Sequence, residues 1–311
     1  MINIFYKSYN TKQTILMAVL LLLSSIMFII FNEDNLFIYF ICALAFVDEK
    51  DDRKIVSLFT IITAIGFLAV LISAKTGIIG TQTSGRIGIY RNSLGFGNVN
   101  TPFIYFNAIV FGLYYLFHDK KKLLLIIYIL TTLGAMYIFK ETNSRTGYYI
   151  YYAFIVASLI YNKKINKYFS KIVPHSFFIF FIASIAIALL FGKDYRNTID
   201  LFLSHRPSYS YYYIKNFLWF NFLGNNVNKY YILDNFYIAS LVKIGIVGFL
   251  TYAYIFIKGS ILYKNDERVN LIVFFILFYG IFESHFFGNF IFVLLIKEIL
   301  KGSDTNEKRI N

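Results

Sequence analysis

The sequence predicts an all-α, polytopic membrane protein, and three observations carry that expectation. Apolar residues make up 58% of the 311 positions and aromatic residues 21%, and mean hydropathy is +0.60. The apolar residues gather in runs that approach the roughly 20 residues a helix needs to cross about 30 Å of hydrocarbon. No polar stretch between the runs is long enough to bury a core of its own, so 1–311 read as a single polytopic domain.

Ten apolar segments can be drawn: about 14–31, 36–47, 55–74, 102–117, 122–139, 147–161, 175–192, 236–257, 269–283 and 286–300. The first follows Lys7 and Lys12, as a signal peptide would. FNEDN and a second apolar run follow it instead of a small-residue cleavage site, which predicts an uncleaved first span. The ten segments read as about ten transmembrane helices joined by alternating inner and outer loops. The second is short for a span, so a paired or half-inserted helix is the alternative there. Cys42, the only cysteine, lies in an apolar run, which excludes a disulfide or a cysteine-based metal site.

Lys and Arg bias in the short loops sets the orientation. With both termini in the cytoplasm, 19 of the 30 basic residues fall on the inner side, 10 on the outer side, and Lys243 within the eighth segment. HDKKK and NKKINKYFSK are then inside and NED outside. The formal net charge of +13 is therefore mostly topological and calls for no nucleic acid. The expected location is the cell membrane, multi-pass. The richness in Ile, Phe, Tyr, Asn and Lys is the bias of an AT-rich genome, as in many Gram-positive bacteria.

Three outer loops, 75–101, 140–146 and 193–235, carry Arg86, Arg91, Arg145, Arg196 and Arg206 on the side where Arg is normally sparse. Arg suits planar, bidentate recognition of phosphate or carboxylate. The first loop ends in RIGIYRNSLGFGNVNTP. Thr101 and Pro102 read as the cap and first position of the next helix, which leaves Arg91, Asn98 and Asn100 unexplained. A lone GxG carries little weight for phosphate binding.

The second, ETNSRTG (141–147), opens the sixth segment. Arg145 in a first helical turn opposes the helix dipole, so a functional role stands ahead of an interfacial one there. The longest loop, 193–235, holds His205, Arg206, a dense group of Tyr and the only Trp, Trp219. Most of those Tyr read as an interfacial aromatic belt; Arg206 does not. Asp234 and Asn235 close the loop, and Asp234 is either the cap of the eighth segment or a carboxylate facing the arginines. Glu283-Ser284-His285 lies in the tight outer turn before the last segment. No HExxH, P-loop or carboxylate cluster at metal spacing occurs, so neither a metal nor ATP is indicated.

With RNSLGFGNVN (91–100), NSRTG (143–147), the Arg206-led loop ending in FLGNN (222–226) and LDNFYIASLVKIGIVGFL (233–250), the chain resembles the O-antigen polymerase and ligase superfamily. Within it, the resemblance is to Wzy-type capsular or exopolysaccharide repeat-unit polymerases. It covers about 86–260. Two features depart from that family: ligases carry His-Asn where this chain has Asp234-Asn235, and Gly224 lies 18 residues after Arg206, not at the Arg-x10-Gly spacing of some polymerases.

The resemblance implies a GT-C-like membrane glycosyltransferase that joins undecaprenyl-diphosphate-linked oligosaccharides at the outer face of the membrane. No metal or other cofactor is expected, and a chain-length regulator and a flippase are the expected protein partners. On this reading Arg145, Arg206 and Asp234 are catalytic, while Arg91, Asn98, Asn100, Ser144, Asn235, Glu283 and His285 bind substrate. A lipid-linked-oligosaccharide flippase and an O-antigen ligase are the alternatives. The gathering of polar residues on one face disfavours the flippase, and the missing His disfavours the ligase.

Overall fold

The computed structural model describes residues 11–31, 34–86, 89–194, 198–217, 222, 224–225, 233–284 and 290–305. Over these residues the chain is helical apart from one hairpin. Helices α1 (Thr11–Phe31), α2 (Asp34–Ala45) and α3 (Asp52–Lys75) lead to strands β1 (Thr83–Arg86) and β2 (Ile89–Asn92). Then come α4 (Thr101–Phe117), α5 (Lys121–Thr142), α6 (Arg145–Ile160) and α7 (Lys163–Phe191). Two short helices, α8 (Thr198–Phe202) and α9 (Arg206–Phe217), precede α10 (Phe236–Lys243), α11 (Gly245–Leu262), α12 (Glu267–Tyr279) and α13 (Phe290–Thr305). Each of the ten apolar segments falls mainly on a helix. Among the described residues, four helices, α3, α5, α7 and α11, are long and apolar enough to cross a membrane.

Local chemistry sets the helix ends. Asp51, Asn162 and Asp266 cap α3, α7 and α12, their side chains accepting from free backbone N–H groups of the first turn. The outward faces of α3 and α5 are apolar: Ile61, Ile62, Ile65 and Leu68 on one, Ile126, Ile129, Leu130 and Leu133 on the other, are all exposed. Contiguous apolar surface of this kind needs a nonaqueous neighbour. The core runs along α13, where every side chain from Phe290 to Ile296 is buried, as expected for a helix that is apolar all round. It packs against α1, α2, α3, α11 and α12, and Phe292 stacks on Tyr39 of α2 with ring centres 5.0 Å apart.

Polar contacts divide the bundle into two ends. At one, Arg53 pairs with Asp119, His118 Nε2 lies 2.9 Å from Glu267 Oε1, and buried Lys297 pairs with Asp52, which also accepts from Tyr263. Those contacts draw the α2–α3, α4–α5 and α11–α12 turns together against α13. At the other end lie the hairpin, the α5–α6 turn, the α8–α9 region and the turn after α12. The Lys and Arg bias predicts this segregation: lysine-rich turns at one end, arginine-bearing stretches at the other.

Three details differ from the sequence-based expectation. Residues 83–86 and 89–92 pair as antiparallel strands with Ser84 opposite Arg91, where only loop was expected. Within the 193–235 stretch, residues 198–202 and 206–217 form α8 and α9, with α9 packed against α7 and α10. The eighth segment is broken between α10 and α11 at Gly245, whose φ is +73°. Phe222, Gly224 and Asn225 fill the break. Asn225 N–H donates to Val242 O at 2.9 Å, and Val247 N–H to Phe222 O at 3.3 Å. A Cβ on Gly224 would lie 2.0 Å from Lys243 O, and one on Gly245 2.4 Å from Phe222 O. Phe222 and Asn225 thus satisfy backbone groups that the break frees, and Gly224 lets the two segments approach.

Candidate functional site

Arg91 sits on β2, and the base of its hairpin is closed by paired bonds between Gln82 and Ser93 (Gln82 N–H to Ser93 Oγ, Ser93 N–H to Gln82 O, both 2.9 Å). From this strand Arg91 Nε donates to Thr142 O at 2.8 Å, and Nη2 to Asn100 Oδ1 at 3.1 Å. Asn98 shapes the same turn, its Oδ1 accepting from Asn100 N–H at 3.0 Å. Asn100, not Thr101, is the residue that flanks α4, and its side chain makes no cap bond. Its amide orients Arg91 instead, which accounts for the two asparagines that helix capping leaves unexplained.

The residues of NSRTG stand in different surroundings. Asn143 ends α5 in the left-handed conformation, φ 47°, which Asn tolerates better than most residues. Ser144 is buried, and its Oγ finds no hydrogen-bond partner among the described residues. Arg145 begins α6, donates through Nη2 to Phe202 O at 3.2 Å and lies over the Phe202 ring, 5.4 Å from its centre. Thr146 Oγ1 accepts from Arg206 Nη1 at 2.8 Å. Gly147 allows α6 to approach α4 closely, since a Cβ there would lie 2.2 Å from Phe103 Cβ.

Arg206 opens α9 and ties three helix ends together. Besides Thr146, its Nη2 donates to Glu283 Oε1 at 2.8 Å, and Nε lies 3.5 Å from Asp234 Oδ2. Only 14% of its side chain is exposed, and 5% of Glu283's. Glu283 stands beyond the end of α12. Burial pushes its carboxyl up to about 8 against the pull of Arg206, and the nearby Asp234 charge adds to the rise.

Asn235 resolves the ambiguity at Asp234. Asn235 caps α10, its Oδ1 accepting from Ile238 N–H and its Nδ2 donating to Ile281 O at 2.8 Å. Asp234 is thereby left to face Arg206.

A cavity of about 840 Å³ opens at this end of the bundle. Arg91, Asn98, Asn100, Arg145, Arg206 and Asp234 all line it, together with Tyr149, Tyr209, Phe202 and His205. The structure therefore brings together six of the expected site residues from four stretches far apart in sequence. Three others stand differently. Asn235 is buried as a cap and Ser144 is buried behind the wall, so neither faces the cavity as a substrate-binding residue would. Glu283 reaches it only through Arg206. His285 lies outside the described residues, as do Arg196 and Trp219. Arg206, with both terminal nitrogens bonded within the protein, is held in place more firmly than a fork awaiting phosphate would be.

His205 is one of the cavity residues absent from the sequence-based site. Its Nδ1 lies 2.8 Å from Asp200 Oδ2. Asp200 is fully buried, and its other oxygen accepts from Ser208 N–H at 2.9 Å. Ser204 and His205 both have positive φ, 65° and 62°, a conformation that costs a non-glycine residue on the order of 1–3 kcal/mol and persists only where surrounding structure holds it.

The site thus offers two arginines anchored on rigid elements, the N-terminal end of α6, two carboxylates around a third arginine, and aromatic faces. That set suits an anionic ligand carrying a polar, ring-shaped moiety. Compared with known proteins, the chain matches no family model, no curated protein and no solved structure.

Proposed function

We propose that this chain is a polysaccharide polymerase of the cytoplasmic membrane that joins undecaprenyl-diphosphate-linked oligosaccharide repeat units at the outer face. The reading takes the chain as ten membrane segments in a GT-C-like arrangement with both termini cytoplasmic, so that the cavity opens outward. One observation carries it: Arg91, Arg145, Arg206 and Asp234, distant in sequence, line a single cavity at the end of the bundle where the Lys and Arg bias predicts the outside.

The chemistry follows from that convergence. The diphosphate of the donor leaves with negative charge, and preorganised guanidinium groups aimed at that charge lower the barrier. Arg145 and Arg91 are placed for it, together with the α6 N-terminus. Arg206 holds Asp234 and Glu283 in position beside the acceptor. Tyr149 and Tyr209 supply flat faces for sugar rings. The apolar outer faces of α3 and α5 adjoin lipid, where a prenyl chain remains while its head group enters the cavity.

The test is polymer length and amount in a strain whose only copy carries Arg145→Gln, with membrane abundance measured alongside. Loss of one such stabilising group lowers the rate on the order of 10²-fold, so the strain should accumulate single lipid-linked repeat units on its outer surface. Undiminished polymer, or repeat units trapped on the cytoplasmic side, would sink the proposal; the second outcome would instead favour a flippase.

A further inference from the structure

The geometry points to His205 as the general base that activates the acceptor hydroxyl, with Asp200 as its positioning residue; the inference rests on the glycosyl-transfer reading above. His205 lines the same cavity as Arg145, Arg206 and Asp234. Its Nδ1 lies 2.8 Å from a carboxylate oxygen of Asp200, a residue with no exposed surface. A hydrogen bond from Nδ1–H to the Asp200 carboxylate fixes the tautomer in which Nε2 is the accepting nitrogen. Asp200 is itself fixed, because Ser208 N–H in the first turn of α9 donates to its other oxygen.

The backbone explains how a histidine five residues after its partner can meet it. Ser204 and His205, consecutive left-handed residues, turn the chain sharply between α8 and α9. His205 N–H then donates to Asp200 O at 2.8 Å, so both backbone and side chain of the two residues are joined. The elbow places imidazole and guanidinium of adjacent residues on one cavity wall. Asp234, the other carboxylate there, is 3.5 Å from Arg206 Nε and is engaged by it.

In the step, Nε2 of His205 removes the proton of the acceptor sugar hydroxyl as its oxygen forms a bond to the anomeric carbon of the donor. The bond from that carbon to the phosphate oxygen breaks, and its electron pair leaves with the lipid diphosphate. The imidazolium then returns its proton to water, so no oxidant or further reactant is needed.

The experiment uses the full chain in lipid nanodiscs. The probe is the lipid-linked single repeat unit extracted from a strain lacking the chain, mixed with wild type, His205→Gly and Asp200→Asn. Glycine adopts φ near 62° without strain, so H205G tests the imidazole and spares the elbow. The titratable and charged groups sharing this wall are Asp200, Arg206, Tyr209, Arg145 and Asp234. H205G should therefore lose the acidic limb of the rate profile that His205 supplies, while any limb due to those groups remains. Its kcat should fall about 10²- to 10⁴-fold with KM little changed, and added imidazole should restore at least about tenfold. D200N should lower kcat by about tenfold or more and displace the acidic limb.

H205G within threefold of wild type overturns the inference while the polymerase reading stands. So does a loss that imidazole does not rescue and that leaves the profile unchanged, because that is a structural effect. A wild-type chain that forms no polymer from the probe overturns the reading and the inference together.

Discussion

Replacing Glu283 by glutamine separates burial from ion pairing at the centre of the site. Glu283 Oε1 accepts from Arg206 Nη2 at 2.8 Å, and its side chain is 5% exposed. Were the pair a simple buried salt bridge, removing one charge would cost about 3–5 kcal/mol at any pH where both are ionised. Burial instead raises the Glu283 carboxyl from 4.5 to about 8.

A carboxyl that binds its proton more tightly when folded makes stability fall as pH rises, by about 1.4 kcal/mol per pH unit, across the interval between its unfolded and folded values. For Glu283 that interval runs from 4.5 to about 8, so several kcal/mol present below it are lost above it. Glutamine keeps the oxygen that accepts from Arg206 and carries no charge to bury. Fluorescence-detected thermal unfolding in nanodiscs at half-unit steps from pH 5 to pH 9 is the assay. Glu283→Gln should match wild type to within about 1 kcal/mol at pH 5 and become progressively the more stable of the two toward pH 8. Parallel curves, with the variant less stable by a constant amount, would refute the reasoning and show an ion pair ionised throughout.

Two further substitutions test the packing that shapes the cavity. Gly147→Ala places a methyl 2.2 Å from Phe103 Cβ and should force α4 and α6 apart, destabilising by about 1–3 kcal/mol; an unchanged melting temperature would show that the helices yield freely. Gly245→Ala meets both a φ of +73° and a backbone oxygen at 2.4 Å, so it should cost at least as much. It should also speed amide hydrogen exchange at Asn225 and Val247, whose N–H groups close the break; unaltered exchange there would mean the break does not depend on Gly224 and Gly245 fitting together.

Much of the helical fold is legible from apolar runs and their caps, because a span must satisfy its own backbone and so announces itself by length. Arg91, Arg145 and Arg206 are legible because positive charge on the sparse side of a membrane segment has no topological cause. The hairpin is not, since TQTSGRIGIYRN has little apolar alternation and is set by Ser93 and by Arg91 reaching α5. The break at Gly245 depends on Gly224, some twenty residues earlier, and a single glycine in an apolar run carries no sign of that partner. Asp234 and Asn235 are equally good caps on paper. Only packing assigns the cap to Asn235, whose amide also reaches Ile281 O. His205 and Asp200 escaped because neither Ser nor His is a residue from which a left-handed elbow is expected.

The three cavity arginines are not equivalent, and their partners say why. A carboxylate orients a guanidinium and also cancels its charge, whereas a carbonyl or a neutral amide orients it and leaves the charge in place. Arg206 is set between Glu283 and Asp234. Both of its terminal nitrogens are committed to the protein, and its contribution is to fix Thr146, Asp234 and Glu283, from three different helix ends, relative to one another. Arg145 is oriented by Phe202 O and by the Phe202 ring, and Arg91 by Thr142 O and the Asn100 amide. Under the proposed glycosyl transfer, a diphosphate in the cavity would find its counter-charge in Arg145 and Arg91, whereas His205 would meet the acceptor. Donor and acceptor are thus assigned to different side chains of the one cavity. Arg145→Gln should act on the departure of the diphosphate and His205→Gly on the acceptor proton. Changing the donor's leaving group to a better one should then recover rate in the first variant and leave the second unimproved.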